Sequence, residues 1–158
     1  MRTIKQIPIL ILGFIFSAFS FKNNINYQTE CVTVETDGYI VLKIWDVRKG
    51  AKYKPEQARK DAIHAIMYSG ISGSGNCITQ IPILNTAAEL EKFKLIEQDF
   101  FSKKGNWTYF TRSSTTETTI PNQLGNKNWK VYQVSISKNE LRKYLEDQKI
   151  IKALNSGF

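Results

Sequence analysis

The stretch that most constrains this chain is Lys54 to Gly70. Pro55 suits the first helical position, where its missing N–H is not needed. Glu56 follows it in the first turn, where the helix dipole favours a carboxylate. Ala58, Ala62, Ala65, Ile66 and Ser69 then recur at steps of three and four, which is one helical face, and Ile63 widens it. Gly70 is a stop signal. A face of such small side chains lets a helix sit close to what it covers. Strong β patterns flank the stretch on both sides, so the expected cover is a sheet.

The N-terminus bounds the compartment. Arg2 and Lys5 precede an apolar run from Ile7 to Phe19, and Ala18-Phe19-Ser20 offers a small-x-small cleavage site. The run of about 13 residues falls short of the roughly 20 that a membrane span needs, so a cleaved secretory signal is expected over a retained anchor. A lipoprotein signal would place a cysteine directly after the run, whereas Cys31 comes behind the polar stretch 22–30. The expected organisation is a signal peptide over 1–20, a flexible Asn-rich arm over 21–30 and a single α+β domain over 31–158. The expected location is periplasmic or secreted. Losing Arg2 and Lys5 lowers the formal charge from +8 by two, to +6. In an exported chain that charge suits an acidic glycan, anionic headgroups or an acidic protein rather than nucleic acid. The lysines are also spread along the chain, as on any solvated surface.

Cys31 and Cys77 are the only cysteines, and an even count in an oxidising compartment favours a disulfide over two free thiols. Cys31 opens the first strand and Cys77 follows the first helix. A helix that runs back antiparallel to its strand brings those two ends together.

Along the chain, Cys31–Glu35 and Tyr39–Trp45 carry β-type patterns. Asp37-Gly38 between them fits either a hairpin turn or a bulge in one bent strand. Thr86-Ala87-Ala88-Glu89 is a capping box that opens a helix to about Lys103. Trp107–Arg112 and Trp129–Ile136 read as a late hairpin with its turn over 122–128. Ser137-Lys138-Asn139-Glu140 is a second capping box, opening a last helix that ends at Asn155-Ser156-Gly157. The order strand, helix, helix, strand, strand, helix predicts a small, mainly antiparallel sheet with three helices on one face.

Gly38-Tyr39-Ile40, followed by Ala58-Arg59-Lys60-Asp61-Ala62, resembles the N-terminal domain of flagellar assembly protein T and related small bacterial envelope lipoproteins. The resemblance covers about residues 32 to 147. It implies a glycine-aromatic step within one bent strand, an Ala-Arg-x-x-Ala helix, and an envelope assembly or binding role without catalysis. It supplies no catalytic residues and no cofactor.

The residues themselves offer little reactive chemistry. His64 is the only histidine, so a histidine-rich metal site is excluded. It is expected as a half-exposed surface residue, on the helix side shared with Lys60 and Tyr68. Ser135 to Lys138 has Ser-x-x-Lys spacing without the accompanying motifs. Carboxylates are scattered. The glycine-rich stretch 70–75 follows a helix instead of preceding one, unlike a phosphate-cradling loop. Aromatics remain: Tyr39, Trp45, Trp107, Tyr109 and Trp129, with Arg112 beside them, either fill the core or form a binding surface on the open side of the sheet. The expected function is an exported non-catalytic binding or assembly module of the cell envelope, contacting a protein or glycan partner through a sheet face or edge. The alternative is a small envelope hydrolase.

Overall fold

A computed structural model describes residues 26–73, 75–121 and 128–153. The expected signal peptide, the arm as far as residue 25, the late hairpin turn and the C-terminal helix stop lie outside the described residues. Among the described residues no helix is long and apolar enough to cross a membrane.

The fold is α+β. Strands β1 (Tyr27–Val34), β2 (Tyr39–Asp46), β3 (Thr111–Pro121) and β4 (Asn128–Ser137) form one antiparallel sheet in the order β1-β2-β4-β3. Helices α1 (Pro55–His64), α2 (Ala87–Lys94), α3 (Glu97–Phe100) and α4 (Lys138–Asp147) accompany it. Alternation decides which face is covered. On β2, Ile40, Leu42 and Ile44 are at most 1% exposed. They stand opposite Ile136, Val134 and Tyr132 of β4, which are equally buried. α1 lies across these two central strands, with Ala58, Ala62 and Ala65 fully buried beneath it.

Past His64 the helix widens into a π turn, Ala65–Ser69, closed by the Gly70 amide on the Ala65 carbonyl at 2.9 Å. The Ile66 and Met67 carbonyls then accept from the Ile83 and Leu84 amides at 3.1 and 3.0 Å. The returning loop thus caps the helix end and buries its own two apolar side chains. The same loop carries Cys77, which is bonded to Cys31 with 6.1 Å between Cα atoms; the expected pairing forms, although Cys31 lies within β1 and β2 is the strand that leads into α1.

Several expectations are corrected. Asp37-Gly38 is a hairpin turn, not a bulge in a bent strand. Gly38 sits at φ +83°, where a side chain is strained, and its amide donates to the Glu35 carbonyl at 3.0 Å. The room a Cβ would need there is taken by the Asn139 side chain of α4. β1 begins at Tyr27, so residues 27–30 of the expected arm are paired strand. The helix expected from Thr86 to Lys103 forms its capping box but breaks at Leu95 and Ile96. The break brings Phe93 and Phe100 together in the core, edge to face at 5.3 Å. Trp107–Arg112 is not one strand: Asn106–Phe110 is a 3-10 helix and β3 starts at Thr111. The last helix ends at Asp147, because Lys149 turns left-handed at φ 57° and lets Ile150 and Ile151 bury. Ser137 makes no side-chain cap bond at its start.

The disulfide closes a separation of 46 residues. Reducing it, or replacing both cysteines by serine, is expected to cost about 3–4 kcal/mol on the loop-entropy model. Urea unfolding with and without reductant measures this, and unchanged midpoints would contradict it.

Candidate functional site

The helices leave the second face of the sheet without a helical cover among the described residues. Alternation places Tyr39, Val41, Lys43 and Trp45 of β2 on it, with Trp129, Val131, Gln133, Ser135 and Ser137 of β4. Arg112 of β3 pairs in register with Ser135 and so shares this side. Its guanidinium lies 4.0 Å from the Tyr39 ring centre, within cation–π range. The contact bridges β3 to β2 across β4, and Ser135 and Ser137 are buried along that line. Val131, directly opposite Trp45, is also buried. Trp45, Trp129, Tyr39 and Lys43 are half-buried, and Arg112 is exposed. Lys43 pairs with Glu30 of β1 at 3.8 Å. Four of the six expected surface residues, Tyr39, Trp45, Trp129 and Arg112, therefore gather on one face.

Trp107 and Tyr109 do not join them. Trp107 is 1% exposed, and its indole Nε1 donates to the Ser102 carbonyl at 2.7 Å. Two cations from α1 flank its ring, Arg59 at 5.0 Å and Lys60 at 5.1 Å. Arg59 also donates from Nε to the Thr111 hydroxyl at 2.8 Å, and Lys60 donates to the Phe101 carbonyl at 2.8 Å. These bonds tie α1 to the start of β3 and the end of α3, on either side of the 3-10 helix, so a pattern that reads locally as a strand gives way to the burial of one indole. Tyr109 is 79% exposed on that 3-10 helix, outside the strand alternation.

A second polar grouping lies along α1, and the sequence reading missed it. His64 is half-buried, on the side of the helix that it shares with Tyr68, as expected. Its ring stacks on Tyr68 at 4.3 Å, and its Nδ1 shares a hydrogen bond with the Tyr27 hydroxyl at 2.8 Å. Tyr68 donates in turn to Glu97 of α3 at 2.9 Å. One turn back, Asp61 accepts from Tyr53 at 2.8 Å and Gln57 at 2.7 Å. Burial sets the ionisation here. It pushes the Tyr27 hydroxyl up to about 12. It raises the Asp61 carboxyl against the opposing bonds from Gln57 and Tyr53. It lowers the His64 imidazole, while Asp61 and Glu97 pull the other way. The described polar contacts of this row tie β1, α1 and α3 together. Gln57, Asp61, His64 and Tyr68 recur at helical steps of four and three, but no signal in the sequence joins them to Tyr27, Tyr53 and Glu97, which come from other segments.

Two other readings find little support in the geometry. Ser135 lies on the helix-free face, while the Lys138 ammonium donates to the Gln80 side chain at 2.5 Å. Among the described residues no three His, Cys, Asp or Glu side chains come close enough to hold a metal ion.

The row predicts a pH dependence. The folded pKa of His64 lies below its ordinary value of 6.5, so the unfolded chain binds that proton more readily. Its contribution to stability is complete above that value and is lost as pH falls through the lowered one. Asp61 acts in the opposite sense: raised above 3.8, it contributes stability at low pH that is lost as pH rises through its folded value. His64→Gln is therefore expected to flatten the acid-side loss of stability below about pH 6.5. Urea midpoints followed from neutral to acid pH check this, and parallel curves for variant and wild type would refute it.

Comparison of the chain with protein families, curated proteins and solved structures returns no match.

Proposed function

We propose that this chain is an exported, non-catalytic binding or assembly module of the bacterial cell envelope, holding a protein or glycan partner against the helix-free face of its sheet. The observation that carries the reading is the Arg112–Tyr39 stack at 4.0 Å, with Trp45 and Trp129 half-buried on the same side. Aromatic rings and an arginine are the side chains most enriched at binding surfaces. A sheet covered by helices on one side only leaves its other side available to a partner. The Cys31–Cys77 bond fits an oxidising compartment, periplasmic or extracellular. The likeness of Gly38–Ile40 and Ala58–Ala62 to flagellar assembly protein T adds weight to an assembly role.

A hydrolase has a poorer footing. The one histidine spends Nδ1 on Tyr27, and its ring is stacked on Tyr68.

The chain from residue 21 onward is the reagent for the test, immobilised and offered separately to solubilised envelope proteins and to cell-wall glycan fragments. Tyr39→Ala with Arg112→Ala is expected to weaken capture of the partner at least about tenfold, since a central Arg or Tyr contact is worth about 2 kcal/mol. A circular dichroism spectrum like wild type would show that the fold is kept. Undiminished capture by the double variant would contradict the reading.

A further inference from the structure

The loop from Val47 to Lys54 joins β2 to α1 at one end of the helix-free face. Arg48, Lys49, Lys52 and Lys54 are all exposed within these eight residues. Among the described residues the carboxylate paired with this loop is Asp46, which is 4% exposed and lies 3.7 Å from the Lys49 ammonium. Glu56, the next acid along the chain, pairs with Lys60 at 3.6 Å. Among the described residues Arg48, Lys52 and Lys54 have no ion-pair partner.

This loop is held in shape. The Asp46 carboxylate accepts from the Arg48 and Lys49 amides at 2.8 and 3.0 Å. A 3-10 turn over Gly50–Lys52 follows, closed by the Lys52 amide on Lys49 and the Tyr53 amide on Gly50. The Tyr132 hydroxyl then fixes the Tyr53 carbonyl at 2.9 Å. A preorganised loop presents its cations at little entropic cost. The loop also abuts the aromatic part of the face. Trp45 immediately precedes Asp46, and Trp129 lies beside Gly50, where an added Cβ would meet its ring at 3.8 Å.

Cations next to indole rings are what a chain of negatively charged sugars requires. The rings stack on pyranose faces, and the cations meet the carboxylates or phosphates that recur along the polymer. An acidic polypeptide would use the cations and have less need of the indoles. Resting on the binding-face reading above, we infer that the basic loop 48–54 together with Trp129 and Trp45 recognises an anionic glycan, entering the face from this end.

The test uses the chain from residue 21 with three probes: polygalacturonate, neutral dextran of the same size, and poly-glutamate. Binding is followed by tryptophan fluorescence and by ultracentrifugation at low and physiological salt. Polygalacturonate is expected to bind, to weaken as salt rises, and to lose at least about tenfold in affinity with R48A/K52A/K54A, whose sites are all on the surface. Trp129→Phe, which keeps the packing on Gly50, is expected to weaken polygalacturonate more than poly-glutamate. Equal binding of dextran, equal or tighter binding of poly-glutamate, or no effect of the triple variant would each overturn the inference. If the triple variant still binds while Tyr39→Ala with Arg112→Ala does not, the face reading stands and the anionic-glycan inference falls. If both variants bind as wild type does, both fall.

Discussion

The seat of α1 on the two central strands is the contact on which the rest of this structure depends. Ala58, Ala62 and Ala65 bring the helix axis close to β2 and β4, and Ile63 and Ile66 fill the flanks. Small side chains are needed because a bulkier one in a close-packed interior forces backbone shifts that cost about 1–3 kcal/mol. The helix so placed fixes its neighbours. Its π-type end receives the loop 83–84, and the same loop carries the disulfide back to β1. Its outer side carries Arg59 and Lys60 to Trp107 and the start of β3. The Tyr27–His64 and Tyr68–Glu97 bonds add the beginning of β1 and α3. Four segments distant in sequence are thus referred to one helix.

A functional asymmetry follows. Helices α1 to α4 place their buried side chains in one core with Ile40, Leu42 and Ile44, on one side of the sheet, and the polar row along α1 joins elements. Among the described residues the other side carries the Arg112–Tyr39 bridge across β4 and the two half-buried tryptophans, with Val41, Val131, Ser135 and Ser137 buried between them. Such a face is ordered by contacts among its own side chains.

What the sequence made legible was local or periodic. The α1 face, the Thr86–Glu89 capping box and the alternation of Ile40, Leu42 and Ile44 can be read from short windows. The disulfide followed from the even cysteine count, while the strand assumed to lead from Cys31 into the helix is in fact two strands. Trp107 was misread because its neighbours have β propensity, while its burial between Arg59 and Lys60 is a tertiary matter that propensity cannot anticipate. Asp37-Gly38 was misjudged because a turn and a bulge use the same residues, and only the pairing of β1 with β2 decides between them. In the row through Tyr27, His64, Tyr68 and Glu97 only the His64–Tyr68 spacing was legible, since Tyr27 and Glu97 meet that pair only after the sheet and α1 have formed. For the binding face, strand parity grouped Tyr39 with Trp45, but placing Arg112 over Tyr39 required the strand order.

The account's central claim is that the partner lies against the helix-free face. Amide chemical-shift mapping of the nitrogen-15-labelled chain, titrated with cell-wall glycan fragments and then with envelope protein, tests it most directly. The account predicts shifts concentrated at Tyr39 to Trp45, Arg112 and Val131 to Ser137, with α1 and α2 unmoved. Shifts concentrated on α1, α2 and α3 with that face silent would contradict it.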